Sequence, residues 1–538
     1  MSIDRIENTS LWQNSLASKQ DDTHDKKREE LRSSFIKFRE NTSFLVSRIS
    51  ADLPGLTQHD ITHLDALWET ASIICGANYP LNPLEAFVFG GAVLLHDSAL
   101  CFEAHDNGIE GVRKTIVWKD SFATVKEVAN GLTEEELKLN ADFLSLRNLH
   151  AQQAAVLGEK GWIDPETKQE LFLIENSTLR KHLGRLIGQI SASHHWDIDE
   201  INSNLPNQLN ALSTFPREWR IDPIKIACLL RCADAAHIDN ERAPDFLHAL
   251  MKRRGLSYTH WQAQNKLACV DLDQSDSNGS TLLFTSTRNF TESESDAWWV
   301  SYDATCMIDR EIRASNALLE SRQVPIPQFQ VKRVRGVETP ELMANYLRTE
   351  GWNPCMAEIH VSNIEGLVNS LGGEQLYGVG CDKLEVTIRE LVQNSRDSID
   401  ARRVFENSFK GRITIRLKKI EGEYWLYIED DGVGMSKRVL TGPLLDFGTS
   451  FWTSSLVQNE FPGLRSSKFK SIGKFGIGFY SVFMSSNEVL VASRPWKGGA
   501  ADVWQVYFKD GLSLRPILKN SVPLNLPSNV STHPRGRC

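Results

Sequence analysis

The sequence lacks the features that mark disulfide-rich, zinc-ribbon, membrane and secreted proteins. Its nine cysteines include no Cys-x-x-Cys pair, which argues against a disulfide scaffold and a zinc ribbon. No apolar run approaches the roughly eighteen residues that a membrane span needs, and the polar start Met1-Ser2-Ile3-Asp4-Arg5 contains no hydrophobic secretory segment. We therefore expect a cytoplasmic protein with no membrane partner.

The sequence also lacks an excess of positive charge, internal repeats and low-complexity tracts. Its 60 Lys and Arg residues against 69 Asp and Glu residues give a formal net charge of −9. This charge gives no general indication of nucleic-acid binding, but it does not exclude a local basic groove. With 41% hydrophobic and 24% charged residues the composition is that of a globular protein. Its 538 residues predict two to four domains, at roughly 150 residues per domain.

Hydrophobic periodicity divides the chain into four parts. Residues 1–28 are polar and charged, which predicts a mobile N-terminal segment. Residues 29–250 carry long apolar repeats at helical spacing, whereas residues 251–350 shift toward alternating and aromatic segments around one helix, which predicts an α+β connector. Residues 351–538 mix helical and strand patterns and form the last predicted domain.

Three motifs follow one another within the last domain. The first lies on a predicted helix, where Glu390, Asn394 and Asp397 share one face. A carboxylate beside a carboxamide suits a site in which one group polarises water and the other completes the ligand shell of Mg²⁺.

The second and third motifs are glycine-rich. A strand with aromatic and β-branched residues runs into Asp430, whose carboxylate can accept a hydrogen bond from an exocyclic amine, and the following glycines let the backbone approach a flat base. The third motif precedes an apolar helix at 479–484, whose N-terminal amides can bind phosphate. The predicted nucleotide-contacting residues of these two motifs are Asp430, Gly432, Gly434, Met435, Gly473, Lys474, Phe475, Gly476, Ile477 and Gly478.

In their order and setting, these motifs resemble the GHKL superfamily of Bergerat-fold ATPases, and the third is most similar to the heat-shock chaperone branch. The resemblance implies an α/β two-layer sandwich with a mixed sheet and helices on one face. It implies Glu390 as general base, Asn394 as magnesium ligand, Asp430 as adenine reader and residues 445–470 as a mobile lid. The implied cofactors are ATP and Mg²⁺.

Two departures from this family affect the expected activity. The family follows the last sheet turn with Gly-Thr and another strand, whereas this sequence stops at Cys538, so we expect a domain truncated at its C-terminal end. The chaperone branch also completes its ATPase with a basic residue from a following middle domain, which this sequence does not include. We therefore expect ATP binding with slow hydrolysis.

The helical region contains a series of histidines and aspartates, which are ligand types for a divalent transition metal. A carboxylate inside an apolar helix is costly unless it is paired or bound to a metal. Taken singly, each residue could instead cap a helix or form an ion pair, such as Asp234 with Arg231 or Arg242. The series comprises His63, His96, Asp97, His150, His194, His195 and Asp234.

The order of these residues resembles the HD superfamily of metal-dependent phosphohydrolases, which implies an all-α HD domain. By that resemblance His63, His96, Asp97 and Asp234 are the ligands of one metal, and His150 with His194 or His195 permits a second. Asp97 is the implied catalytic carboxylate, and Mn²⁺, Fe²⁺, Ni²⁺ or Zn²⁺ the implied ion. Ser98 and Ala99 follow the His-Asp pair where many relatives carry an apolar residue and glycine. His59, one turn before His63, either supports the ligands from behind or is a solvated bystander, and the second interpretation is favoured.

From about residue 50 to its end, the chain resembles bacterial fusions of an HD domain with a heat-shock-like ATPase, which are associated with defence against mobile elements. The leading hypothesis is a phosphohydrolase, gated by ATP, that acts on a nucleotide or nucleic-acid phosphoester. The alternative is a chaperone-like scaffold whose HD domain binds a ligand or protein partner without cleaving it. Metal identity and count, the substrate and homodimerisation remain open at this stage.

Overall fold

The protein is described by a computed structural model, in which each of two compact units can be examined by itself. The first unit comprises residues 1–115 and 139–357, and the second comprises residues 116–138 and 358–538. No helix among the described residues is both long and apolar enough to cross a membrane. The description covers residues 3–537 except 21, 54–55, 57–58, 129–130, 239–242, 244–255, 323–326, 355–382, 421–422, 447, 449, 455, 474–475, 477, 509–510, 512–515 and 521–531.

The N-terminal residues are folded, which corrects the expectation of a mobile segment over residues 1–28. Helices α1 (Asp4–Glu7) and α2 (Ser10–Ser15) precede α3 (Asp25–Val46). Trp12 is only 2% exposed and its ring lies 5.7 Å from that of Phe35. The few apolar residues of this polar stretch are buried in the core. Their packing orders the segment although its composition predicted mobility.

The helical region continues with one central apolar helix surrounded by amphipathic ones. Helix α6 begins with a capping box between Asn82 and Glu85, and all thirteen of its residues are buried. A short hairpin of β1 (Gly161–Ile163) and β2 (Glu170–Phe172) interrupts the helices. The helices are α4 (Ile49–Asp52), α5 (Ile61–Cys75), α6 (Pro83–Leu95), α7 (Gly108–Lys114), α8 (Ile116–Val128), α9 (Glu134–Leu157), α10 (Ser177–Ala192), α11 (Ile198–Asn204) and α12 (Pro223–Ala236).

Helices α9 and α10 approach each other so closely that their backbones touch. A Cβ atom at Gly188 would lie 2.2 Å from the Ala155 carbonyl oxygen, and one at Gly158 would lie 2.2 Å from that of Gly184. Only glycine permits this separation at these positions. The two helices therefore form a tightly packed pair.

The predicted connector is α+β but does not form a unit of its own, since residues up to 357 belong to the first unit. Two small sheets, of order β3-β4-β6 and β5-β7, accompany a long helix, α14. The elements are α13 (Leu256–Asn265), β3 (Asp271–Leu272), β4 (Thr281–Leu283), β5 (Phe290–Thr291), α14 (Ser295–Ser321), β6 (Arg333–Val334), α15 (Pro340–Met343) and β7 (Thr349–Glu350).

The C-terminal domain packs helix α16 against a six-stranded sheet of order β12-β11-β10-β13-β9-β8. Leu391 of α16 joins Ile428, Val489 and Val506 of the sheet in one apolar core. The elements are α16 (Lys383–Phe405), β8 (Ile413–Ile420), β9 (Glu423–Asp430), α17 (Lys437–Thr441), α18 (Leu456–Glu460), β10 (Glu488–Ser493), β11 (Trp504–Phe508), β12 (Ile517–Asn520) and β13 (Thr532–Arg537).

The two-layer α/β architecture agrees with the Bergerat fold, but the described strands form an antiparallel sheet and not the expected mixed one. All of its strand pairs in the described residues are antiparallel. The link between β8 and β9 is only residues 421–422, and a connection this short can join only antiparallel strands. The last described residues, Thr532–Arg537, form a strand between β9 and β10.

Candidate functional site

Four residues that the sequence singled out lie together at the ends of three apolar helices. His63 lies in the first turn of α5, His96 and Asp97 follow α6, and Asp234 lies in the last turn of α12. One ligand atom from each lies within 4.8 Å of all the others. Asp234 Oδ1 is 3.5 Å from His96 Nε2 and 3.8 Å from His63 Nε2.

The other three histidines form a second cluster. His150 lies on α9, and His194 and His195 lie in a 3₁₀ turn, Ser193–His195, that follows α10. Their ligand nitrogens also lie within 4.8 Å of one another. The close packing of α9 on α10 therefore brings His150 to the two histidines from the distant turn.

Asp97 lies between the two clusters and faces both. Its Oδ2 is 3.3 Å from His96 Nε2, whereas its Oδ1 is 3.6 Å from His150 Nε2. Burial alone would raise the pKa of this carboxyl, but the neighbouring imidazoles, first among them His96, hold its pKa well below the usual range. Asp97 is therefore a carboxylate able to bridge two cations.

The electrostatics of the histidines differ between the clusters. Burial lowers the pKa of His150, His194 and His195 to about 4, so all three are neutral near pH 7. Burial also opposes protonation of His96, but Asp97 and Asp234 outweigh it and raise the pKa of His96 well above its ordinary value. The two carboxylates thus favour a positive charge at His96, which a proton or a metal ion can provide.

The ring orientations fit metal binding. His150 Nδ1 is 2.7 Å from the Arg147 carbonyl oxygen and His194 Nδ1 is 2.5 Å from that of Ser191, so each Nδ1 carries the proton that it donates. The Nε2 lone pairs of these two rings then face each other at 3.2 Å, an arrangement that is repulsive without a cation.

The donor set fits a divalent transition metal in both clusters. Two nitrogens that each lie about 2.1 Å from one ion are roughly 3.0 to 3.4 Å apart, which matches the His150 and His194 separation. His96 Nδ1 is 2.8 Å from the Val93 carbonyl oxygen, and its buried Nε2 lies 3.3 Å from Asp97 Oδ2 and 3.5 Å from Asp234 Oδ1. Imidazoles and carboxylates with anchored second nitrogens are typical of such sites.

Two further histidines lie near the first cluster: His237 was not identified from the sequence, and His59 was favoured as a solvated bystander. His237 is 3% exposed and stacks on His63 with ring centroids 4.9 Å apart, and their Nδ1 atoms are 2.7 Å apart. His59 is not a solvated bystander, because its side chain is 10% exposed and its Nε2 lies 3.8 Å from Asp97 Oδ2. The only sequence signal was spacing: His237 follows Asp234 by one helical turn, and His59 precedes His63 by one.

Arg231 organises the turn that carries the second cluster. The sequence left open an ion pair between Arg231 and Asp234, but Arg231 instead pairs with Glu311 at 2.8 Å. Its guanidinium also donates to the carbonyl oxygens of Ser193 and Trp196. Arg242, the other candidate partner, lies outside the described residues.

The departure at Ser98 does not place a polar group among the ligands. Ser98 is buried, and its hydroxyl donates to the Leu94 carbonyl oxygen at 2.5 Å, one turn back along the helix. Ala99 is also fully buried.

Most of the described residues predicted to bind ATP line a cavity of about 420 Å³ in the second unit, whereas Asp397 and Gly432 lie outside its lining. The wall combines α16, the end of β9 and the glycine loop, with apolar side chains between them. The lining includes Glu390, Leu391, Asn394, Ser398, Asp430, Val433, Gly434, Met435, Leu444, Gly473, Gly476, Gly478, Phe479 and Val491.

The two polar residues of α16 face the glycine loop. A Cβ atom at Gly478 would lie 2.6 Å from Glu390 Oε2, and one at Gly473 would lie 3.5 Å from Asn394 Oδ1. The loop can therefore approach the Glu390 carboxylate only because residue 478 has no side chain.

Asp397 holds the glycine loop in place and faces its backbone. Its carboxylate accepts hydrogen bonds from the amides of Ile472 and Gly473, at 2.9 Å each. Burial raises the pKa of this carboxyl, and these amides oppose the rise. Asp397 therefore positions the loop, while Glu390 and Asn394 remain directed at the cavity.

Asp430 ends β9 at the opposite wall of the cavity. It is 4% exposed, and its Oδ1 accepts a hydrogen bond from the Gly432 amide at 3.0 Å. A Cβ atom at Gly432 would lie 2.2 Å from Ser398 Oγ, and Gly434 has φ of 68°, in the region that favours glycine. The Met435 amide donates to Ser493 Oγ at 2.8 Å.

Three residues of the predicted phosphate loop, Lys474, Phe475 and Ile477, lie outside the described residues. The expected apolar helix after the loop is a 3₁₀ helix, Gly478–Met484, in which Tyr480, Val482 and Met484 are buried.

The segment predicted as the lid packs on helix α8. Asp120 of α8 is 2% exposed, and its carboxylate accepts from the amides of Gly463 at 2.6 Å and Ser466 at 2.8 Å. Gln458 Nε2 donates to Thr124 Oγ1 at 3.0 Å. This α8 contact belongs to the second unit, although α8 lies early in the sequence.

Comparison with known proteins identifies two domains. Residues 53–314 match the HD-CE family model. Residues 382–510 match the model described as "Histidine kinase-, DNA gyrase B-, and HSP90-like ATPase".

Curated relatives share only a short region with this chain. The "Chaperone protein HtpG" of Wolbachia sp. subsp. Brugia malayi (strain TRS) is 39% identical over 133 residues, which are 22% of this chain and 20% of the relative. "Heat shock protein 90-5, chloroplastic" of Arabidopsis thaliana is 35% identical over 130 residues, which are 22% of this chain and 16% of the relative. This chain thus spans about a fifth of the length of the curated relatives it matches.

The order of the two domains agrees with the fusion that the motifs predicted. The cavity between α16 and the glycine loop lies in the ATPase match, and both histidine clusters lie in the HD-CE match. The chain combines an HD-CE domain with a following GHKL-type ATPase domain.

Proposed function

We propose that this protein is a metal-dependent phosphohydrolase whose activity depends on ATP bound to its GHKL domain. The substrate class is a nucleotide or nucleic-acid phosphoester. The observation that carries the proposal is the position of Asp97, with Oδ2 facing the first cluster and Oδ1 facing His150 of the second. A carboxylate placed in this way suits two metal ions that act on one phosphoryl group.

The side chains of the HD domain supply the ligands and hold them in place. Divalent ions held by the two clusters would lower the pKa of a water molecule and offset charge on the phosphoryl oxygens. His150, His194 and His195 are neutral near pH 7, so their nitrogens are available as ligands without loss of a proton. Arg231 and His237 orient the ligand rings through backbone and ring contacts.

In the ATPase domain, the side chains around the cavity suit nucleotide binding. Glu390 is placed to accept a proton from water, and Asn394 offers a carboxamide oxygen. Mg²⁺ bound with ATP would neutralise phosphate charge. Asp430 is placed to read an exocyclic amine of the base, while Asp397 holds the loop expected to enclose the phosphates.

The proposal is tested by hydrolysis of nucleotides, dinucleotides and short single-stranded DNA and RNA with Mn²⁺. Each reaction is run with and without a non-hydrolysable ATP analogue. Cleavage should disappear in Asp97→Ala and change when the analogue is bound. The matched control is Asp106→Asn, which changes a carboxylate that is 89% exposed. Cleavage that persists in Asp97→Ala would contradict the proposal.

The second candidate is a chaperone-like scaffold in which the HD domain binds a ligand without cleaving it. It is favoured by the similarity of the ATPase region to proteins named as chaperones. Metal analysis separates the candidates: a purified protein without transition metal, which binds ATP and cleaves no substrate, supports the scaffold. A purified protein with metal in both clusters supports the hydrolase.

A role in bacterial defence against mobile elements is the cellular part of the proposal. It predicts that cells expressing the protein resist phage or plasmid entry. Resistance should be lost in both Asp97→Ala and Glu390→Ala. Resistance that requires Glu390 but not Asp97 would support the scaffold instead.

A further inference from the structure

Helix α8 lies within the HD-CE match by sequence, yet it belongs to the ATPase unit by structure. The HD-CE match covers residues 53–314, whereas residues 116–138 group with residues 358–538. The predicted lid, residues 445–470, provides the contacts that hold α8 there. A segment that lies within the HD-CE match by sequence thus packs on the predicted lid of the ATPase domain.

The contact is specific as well as close. Asp120 is almost completely buried, and both of its carboxylate oxygens accept a lid amide, Oδ2 from Gly463 and Oδ1 from Ser466. Burial of a carboxylate is costly unless its oxygens accept hydrogen bonds. The two lid amides therefore stabilise the buried Asp120 carboxylate, and the carboxylate in turn fixes the lid backbone. Hydrogen bonds to a charged acceptor are also stronger than those between neutral groups.

Two further contacts between the lid and α8 lie beside the Asp120 hydrogen bonds. Thr124, one turn along α8 from Asp120, accepts a hydrogen bond from Gln458 at 3.0 Å. Gly463 has φ of +91°, and a Cβ atom built on it would lie 3.3 Å from Ile116 Cγ2 at the start of α8. The lid therefore meets α8 along the length of its first turns.

The chain connects α8 to a metal-ligating helix. Helix α9 begins at Glu134, within the stretch that groups with the ATPase unit, and continues without interruption through His150 to Leu157. The backbone of α9 touches that of α10 at Gly188 and Gly158, and α10 leads into His194 and His195. The lid contact and His150 thus lie on consecutive helices, α8 and α9.

We propose that Asp120 is a latch that fastens the predicted ATP lid to helix α8. Through this contact, nucleotide binding changes helix α9 and, with it, the position of His150. The inference rests on the proposed function only where it assigns the latch to the control of phosphohydrolysis. The latch contact and its response to ATP can be measured without any hydrolysis. Asp120 is a positioning residue, because its carboxylate binds the backbone amides of Gly463 and Ser466 in the lid.

The test is hydrogen–deuterium exchange of the full chain, with and without a non-hydrolysable ATP analogue and Mg²⁺. Asp120→Asn keeps the shape of the side chain but replaces one acceptor with an NH₂ group that faces a lid amide. Amides of residues 461–467 should exchange about tenfold faster in this variant, the scale expected from loss of a charge-assisted hydrogen bond. Thr124→Val should give a smaller increase, and Glu127→Gln, on the exposed side of α8, should give none.

The second readout separates a latch from a merely structural contact. In the wild type the ATP analogue should change exchange in residues 139–157 of α9, and in Asp120→Asn this response should disappear while the analogue still binds. An equal α9 response in both proteins, no α9 response in the wild type, or unchanged lid exchange in Asp120→Asn would each overturn the latch. Absence of phosphohydrolase activity in the wild type would overturn the proposed function without affecting these readouts.

Discussion

His150 and His194 face each other through their Nε2 atoms at 3.2 Å, and both rings are fixed by backbone carbonyls. Because both Nδ1 atoms donate, a cation between the rings relieves the repulsion of the lone pairs. We expect two transition-metal ions per chain in the purified protein and one in His194→Ala. Inductively coupled plasma mass spectrometry measures the count. A wild-type protein with one ion that is unaffected by His194→Ala would contradict this assignment.

Removal of the metals should lower the thermal stability of the first unit. The buried ligand groups are organised in the folded chain, so ions bind the folded state in preference to the unfolded one. At a free metal concentration about 100 times the Kd, one site stabilises the fold by about 2.7 kcal/mol. Differential scanning calorimetry with and without chelator should show this loss, and added Mn²⁺ should restore it. A melting temperature indifferent to chelator would count against metal binding.

His237→Ala should weaken metal binding although His237 is outside the predicted ligand set. Its ring stacks on His63 with Nδ1 2.7 Å from the Nδ1 of His63, so it fixes the orientation of that ligand. Loss of a group that orients a metal ligand typically weakens affinity about 10- to 100-fold. Metal titration monitored by calorimetry tests this, with exposed His182→Ala as the matched control.

Gly478→Ala should impair the ATP site without unfolding the domain. The new methyl group would lie 2.6 Å from Glu390 Oε2, so the loop or the carboxylate must move. We expect about a tenfold or larger loss of ATP affinity or turnover, which corresponds to about 1.4 kcal/mol. Gly499→Ala is the control in the same domain, because its Cβ would meet only Asp502 Oδ2 at 3.8 Å. Equal ATP binding by both variants would show that the loop does not enclose the nucleotide.

Glu390→Gln should abolish ATP hydrolysis and leave ATP binding nearly unchanged. The substitution keeps the shape of the side chain but removes its ability to accept a proton from water. Isothermal titration measures binding and phosphate release measures turnover. Parallel loss of both would assign Glu390 to binding, and retained turnover would exclude it as the base.

The elements that carry the site could be predicted because their signals are local. Apolar helices ending in histidine and aspartate indicated the ligand series, and a strand running into Asp430 indicated the base site; family comparison confirms the HD and ATPase domains. Helix α16 and strand β9 also occur where their periodicity predicted them.

The features that the sequence did not predict depend on packing between distant residues. The burial of Trp12 by Phe35, the pairing of Arg231 with Glu311 and the stacking of His237 on His63 all join residues far apart in the chain. The assignment of α8 to the ATPase unit has no local signal either, because Asp120 looks like any helical carboxylate until its amide partners are known. Periodicity identifies a helix, but it does not identify what the helix packs against.

The glycine contacts between α9 and α10 determine the distance between His150 and His194 in the second histidine cluster. His150 is carried by one helix and His194 by the turn after the other, so the gap between their nitrogens is fixed by how near the two backbones come. At Gly188 that approach leaves no room for a single methyl group. The spacing of the His150 and His194 nitrogens therefore depends on the absence of a side chain at residue 188. Gly188→Ala would move the two histidines apart without replacing either of them.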